Sequence, residues 1–267
     1  MGRTLDGLAG SVASLASLPG VSDAVDGARV ACTELRWHQA LRRRTAEARA
    51  ESTARAARAS AAIEGAELPV AVVRDVLRGA RPAPDDAVGR VVSGAVRATV
   101  EAGQLGRALA TAPLQALATL HIAAAAGLVD DDVLGRPRLG DELHQRLTAL
   151  VELLMLPGDV PALVVAALAH GEVMAMRPFV AGNGVVARAL FRALVVERGL
   201  DPTGVAVPEQ AVLATGLPAY ASALTGYAGG TPAGVAGWLV HCGDAVRLGA
   251  AEGAVVADAV LAGRLTR

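Results

Sequence analysis

Lysine is missing from the 267 residues, and the aromatics amount to two Phe, two Tyr and two Trp, 2% of the chain. With no lysine, no Walker-type phosphate loop ending in Gly-Lys-Ser/Thr can be present. So few aromatics leave no stacking platform for single-stranded nucleic acid. Cysteine occurs twice, at Cys32 and Cys242, too few and too far apart for a disulfide framework or a metal knuckle. The formal net charge is −1 and the arginines are spread along the chain, so no basic footprint for nucleic acid stands out. No run of eighteen apolar residues escapes a charge or a turn, which argues against a membrane span. The N-terminal stretch lacks a basic start and carries Asp6 within its apolar part, unlike a signal peptide. A cytoplasmic location is expected.

What is present is alanine, valine and leucine: 53% of the chain is hydrophobic and 19% charged. That balance favours a folded helical chain over disorder or strands. A first helix is predicted from about Asp26 to Ser60, with Leu35, His38 and Leu41 on one stripe and Glu51 and Arg55 paired on an exposed face. A turn at Gly65 and a second helix stopped by Gly79 follow, then a proline-rich loop from Gly79 to Gly89. From Pro113 onward helices alternate with Pro and Gly. Pro113 opens one bearing Leu114, Leu117 and His121 on one face. Asp141 opens another with Leu143, Leu147, Leu150 and Leu154, and Asp159 with Pro161 caps a third that runs to Met176. Further helices start near Pro208, Leu217 and Pro232. No strand run or repeat is apparent, so the predicted class is all-α.

The stretch "MRPFVAGNGVVAR", Met176 to Arg188, breaks one of these helices with a small-residue turn. Pro178 keeps Arg177 out of helical geometry. Asn183 is read as the N-cap of the next helix, and Gly182 and Gly184 let backbone approach a ligand closely. A helix start of this kind favours phosphate or carboxylate, and Arg188 lies one turn inside it.

These residues, within "HGEVMAMRPFVAGNGVVAR", resemble the signature of the Fic (Fido) family of protein AMP-transferases, His-x-Phe-x-(Asp/Glu)-Gly-Asn-Gly-Arg-x-x-Arg, usually with Pro after the His. Pro178, Phe179, Gly182, Asn183, Gly184 and Arg188 match it in order and spacing. His170 upstream, and Tyr220 and Trp238 downstream, also resemble family positions. A second, distant match is "SAAIEG": Ser60, Glu64 and Gly65 fit the inhibitory-helix pattern (Ser/Thr)-x-x-x-Glu-(Gly/Asn) of class II Fic proteins. The resemblance spans roughly Ser52 to Leu248. It implies a Fic-fold helical bundle, an inhibitory-type helix at 52–65 within an N-terminal region of residues 1–100, a Fic-like core at 101–267, and a Glu64–Arg188 salt bridge.

The departures fall on the chemistry. Arg177 stands where the family has its catalytic His, and a guanidinium does not act as a base near neutral pH. Ala181 replaces the metal-binding acid, so the family's magnesium site is not expected. Val185 replaces the first signature arginine. "GRPRLGDELHQ" keeps a Gly-x-x-Arg-like piece, Gly135 to Arg138, but is short for the target-docking β-hairpin. Two functions stay open on the sequence. One is a catalytically degenerate protein that binds an anion, a nucleotide such as ATP, or a protein partner without turnover. The other is a residual or altered AMP transferase, with His170 the nearest alternative base. The resemblance also leaves a homodimer open; no membrane or nucleic-acid partner is implied.

Overall fold

The computed structural model describes residues 2–264. Among them are thirteen α-helices and no strand. The N-terminal part contains α1 (Gly2–Ser14), α2 (Val21–Arg36), α3 (Thr45–Ile63), α4 (Val70–Leu77), α5 (Ala87–Ala102) and the short α6 (Ala108–Thr111). Then come α7 (Pro113–Ala125), α8 (Asp141–Leu154), α9 (Ala162–Met176), α10 (Asn183–Glu197), α11 (Pro208–Thr215), α12 (Leu217–Ala228) and the long α13 (Pro232–Leu261). No single helix among the described residues is long and apolar enough to cross a membrane.

Starts and stops follow local chemistry. Asp86 accepts a hydrogen bond from the Gly89 amide at 2.7 Å to cap α5, and Thr231 does the same for Gly234 at the head of α13. Proline occupies the first turn of α7, α11, α12 and α13, where its missing N–H is no loss. Asp159 takes no part in capping α9; Pro161 alone precedes that helix.

Several expectations fail in the N-terminal half. The helix predicted across Asp26–Ser60 is two helices, α2 and α3, separated by a short 3₁₀ turn over Gln39–Arg42. No Pro or Gly marks that break. His38 makes it, its Nδ1 accepting from the Ala40 amide while its Nε2 meets Asp258 of α13 at 3.2 Å. His38 therefore leaves the stripe with the buried Leu35 and Leu41. Glu51, assigned to an exposed face, is buried. Leu114 also differs from expectation, facing outward while Leu117 and His121 are buried.

The helix α10 sits at the centre. Every residue from Asn183 to Val195 is buried, with α9, α7, α5 and α3 packed around it. A helix enclosed on all sides can be apolar all round, which is why its sequence shows no clean amphipathic stripe. On the far side α13 spans the molecule, with α2 alongside and α9, α11 and α12 against it. Trp238 is fully buried there and donates its indole N–H to the Ala167 carbonyl at 2.7 Å. This packing holds the α9–α10 connection and the end of α3 against each other.

Candidate functional site

Met176 ends α9 and Arg177 takes up the left-handed backbone region, φ 44°, the only non-glycine to do so among the described residues. Arg138 secures this turn. Its amide donates to the Pro178 carbonyl at 2.8 Å, and its guanidinium donates to the carbonyls of Met176 and Arg177 at 2.7–3.0 Å. Thus the Gly135–Arg138 piece lies along the loop and satisfies orphan carbonyls at the end of α9. It builds no hairpin.

Phe179 anchors the middle of the loop. It is buried and stacks flat on His121, ring centroids 3.9 Å apart and planes within 4°. His121 in turn accepts from the Gly135 amide through Nδ1 at 2.9 Å. Burial lowers the pKa of His121, which suits a neutral ring stacked on Phe179. Its singly placed histidine gave the sequence no reason to link it to the loop; only the fold brings α7 beneath Phe179.

Asn183 is not the N-cap. Gly182, with φ 72°, holds that position and Asn183 is the first helical residue. The Asn183 side chain turns back instead, accepting from the Phe179 amide at 2.9 Å and donating to the Phe179 carbonyl at 2.8 Å. This paired contact needs an amide side chain, since a carboxylate offers no donor. It closes the loop on itself and leaves the first N–H groups of α10 without a side-chain cap.

Beside that helix start lies a carboxylate from the end of α3. Gly65, at φ 82°, ends α3, and the Ala66 amide reaches back to the Ala61 carbonyl at 3.0 Å. That closure places Glu64 at the helix end, leaning across Gly184. A Cβ added at Gly184 would come within 2.1 Å of Glu64 Oε1, so any larger residue here would push the carboxylate aside.

Arg188 holds the other side of Glu64. Its guanidinium is 2% exposed, donating through Nη2 to Glu64 Oε1 at 2.7 Å and to the Ser60 carbonyl at 3.0 Å, and through Nε to Ser60 Oγ at 3.0 Å. Nη1 finds no partner among the described residues and lies beside Gly184. Burial opposes the charge on Arg188, but Tyr220 and Glu64 outweigh it and its pKa is raised. The Glu64–Arg188 contact implied by the resemblance is therefore present, with Ser60 completing it.

The remaining residues separate. Arg177 is exposed and its side chain has no hydrogen-bond or ion-pair partner among the described residues. Glu64 is engaged by Arg188 instead. Val180, two residues after Pro178, is 59% exposed. Ala181 offers no oxygen ligand from its side chain, and no three His, Cys, Asp or Glu side chains converge among the described residues. The residues present do not fit the family's magnesium ion. Val185 is buried.

His170 lies deeper, its Nε2 hydrogen-bonded to the Tyr220 hydroxyl at 2.8 Å and its ring edge-on to Trp238 at 5.0 Å. Burial, then the Arg188 and His241 charges, hold its pKa well below the ordinary histidine value. Burial pushes the Tyr220 hydroxyl up to about 12. His170, Tyr220 and Trp238 thus form a packed cluster behind Arg188.

No family model matches the sequence, and no curated protein matches it. Solved structures do. One is a Fic family protein from Desulfovibrio desulfuricans G20, with a TM-score of 0.71 and 23% identity over 88% of this chain and 75% of that one. Another is Fic-1 from C. elegans, with a TM-score of 0.59 and 18% identity over 86% and 69%. A single-substitution variant of Fic-1 gives the same score and identity over 85% and 70%. The likeness extends over nearly nine-tenths of the chain, and the fold is the Fic fold.

Proposed function

We propose that this Fic-fold chain binds a phosphate-bearing ligand, such as a nucleotide, at Gly182–Arg188 without transferring AMP by the family's usual route. The observation that carries the reading is the Arg188 Nη1 group, buried beside Gly184 with no partner while the rest of the guanidinium is engaged. It lies next to the uncapped N–H groups at the start of α10. Together they offer a convergent donor set for an anion, and the chain's own Glu64 carboxylate now fills part of it. Displacement of Glu64 would open that space to phosphate.

The loss of transfer rests on what the site offers as a base and as a metal ligand. Arg177 is a guanidinium, His170 is buried against Tyr220, and His121 lies beneath Phe179. Ala181 contributes no carboxylate to hold a magnesium ion. Arg177 and Val180, exposed at the loop, are what a protein partner would meet first. Residual AMP transfer has no observation in its favour.

Titration calorimetry with ATP, ADP and AMP, on the wild type and on Glu64→Gly, tests the reading. Glu64→Gly should bind at least one of the three about tenfold more tightly than wild type, because its own carboxylate no longer competes. Arg188→Ala, made in the Glu64→Gly background, should abolish that binding. Absence of binding in both wild type and Glu64→Gly would remove the nucleotide reading.

A further inference from the structure

A second cavity lies at the opposite end of α10 from the loop. It encloses about 740 Å³ between α3, α4, the end of α5, the end of α10 and the end of α13. That volume is in the range of small-molecule sites. None of its lining residues belongs to the loop of 177–188. From Gly184 to Val196, which lines it, is roughly 18 Å along the helix at 1.5 Å per residue.

Its walls are mainly apolar, with Leu77, Val100, Ala102, Val196 and Val260 among them. Its charged residues divide into the engaged and the free. Arg74 is held by Glu51, Arg44 by Glu47, and Arg192 by the carbonyls of Gly204 and Ala206 with Glu209 at 3.5 Å. Arg49 and Arg78 differ. Arg49 spends only its Nε, on the Thr203 carbonyl at 2.8 Å, and Arg78 makes no side-chain hydrogen bond among the described residues. Neither has a carboxylate within salt-bridge reach among those residues, so the cavity carries two uncompensated cations over an apolar interior.

We infer that this cavity binds a soluble organic anion with an apolar body, its carboxylate, sulfonate or phosphate group meeting Arg49 and Arg78 while the body lies against Leu77, Val100 and Val196. The reasoning is charge complementarity. Guanidinium groups left with free N–H donors beside partly buried apolar surface reward a ligand carrying both features. Arg78 also ends α4, where a cation complements the helix dipole, so its role is read from ligand affinity and not from stability.

The probe is 8-anilinonaphthalene-1-sulfonate, paired with its uncharged relative N-phenyl-1-naphthylamine, followed by fluorescence titration on the full chain. The sulfonate should saturate a single site at least about tenfold more tightly than the neutral dye. Arg49→Ala with Arg78→Ala should weaken the sulfonate by about tenfold or more and leave the neutral dye unchanged. Ala50→Trp, placing an indole into the space from an exposed position on α3, should remove the saturable signal of both. All three positions are exposed, so circular dichroism should be unaltered. Equal affinity for the two dyes would overturn the inference, as would undiminished sulfonate binding in the double variant or in Ala50→Trp. So would a sulfonate signal lost in Arg188→Ala, which places the dye at the loop.

Discussion

Glu51 ties α3 to α4 through one carboxylate. Arg74 grips it with Nε at 2.8 Å and Nη2 at 2.9 Å, and Arg55 adds a third donor at 3.0 Å. Burial favours the neutral acid, yet the two arginines outweigh it and its pKa is lowered. Removal of this acid strands Arg74 near the interior, so Glu51→Ala should cost about 3 kcal/mol, read as a lowered urea midpoint with an unchanged slope. A loss below about 0.5 kcal/mol would show the pair to be worth no more than a surface one. The i,i+4 spacing of Glu51 and Arg55 was legible in the sequence; the side on which it faces was not, because Arg74 is 23 residues away and spacing says nothing of it. Ser60 and Glu64 were legible only through their resemblance to a family pattern, whereas Arg188 was also marked by its place one turn inside a helix start. Asn183 was misplaced by one position for a simpler reason: Gly and Asn are both good N-cap residues, and only the Phe179 contacts separate them.

Gly94 sets how closely α5 and α7 cross. A Cβ there would stand 2.1 Å from the Ala124 carbonyl oxygen, a backbone atom with no side-chain freedom. Gly94→Ala should therefore part the two helices and cost about 1–3 kcal/mol, several degrees of Tm in a calorimetric scan. The disturbance should reach the loop, since Gly182 rests on Ala124 and Ala125. Faster amide exchange at 182–186 in this variant, beyond that of an equally destabilised variant elsewhere, is the expected sign. At this scale the sequence was readable at several breakers, among them Gly65, Gly79, Pro113, Asp141 and Pro232, but not at Asp86 and Gly103, which bound α5. It was unreadable at Trp37–Arg44, where long-range contacts of His38 and Arg44 with α13 set the break. Local propensity carries no trace of such contacts.

Across the whole molecule, acid sensitivity has two sources that separate on the pH scale. His170, His121 and His241 all have pKa values lowered, chiefly by burial. A histidine held neutral binds fewer protons when folded than when unfolded, so its penalty is absent above about pH 6.5 and grows as pH falls below it. Each fully suppressed histidine removes about 1.4 kcal/mol per pH unit in that range. Glu51 acts in the same direction but further down the scale: its stabilisation is present above about pH 4.5, its ordinary value, and is lost only as pH falls through its lowered one. Urea unfolding at pH 7.5, 6.5, 5.5 and 5.0 should show stability level at first and then declining, with a shallower decline for His170→Gln. A flat profile from 7.5 to 5.0 would mean that these rings accept protons in place. The all-α class and the helical core were readable from composition, whereas the burial of scattered single histidines was not, because nothing in their spacing marks them as neighbours.

The left-handed backbone at Arg177 bears on why the residue is there at all. A non-glycine side chain in that region carries a strain of about 1–2 kcal/mol. Arg138 holds the turn through main-chain carbonyls, which any residue at 177 would supply. The guanidinium itself meets no acid and makes no hydrogen bond among the described residues. No polar contact among the described residues offsets that strain, so the identity of residue 177 is better read as a record of encounters with other molecules than of architecture.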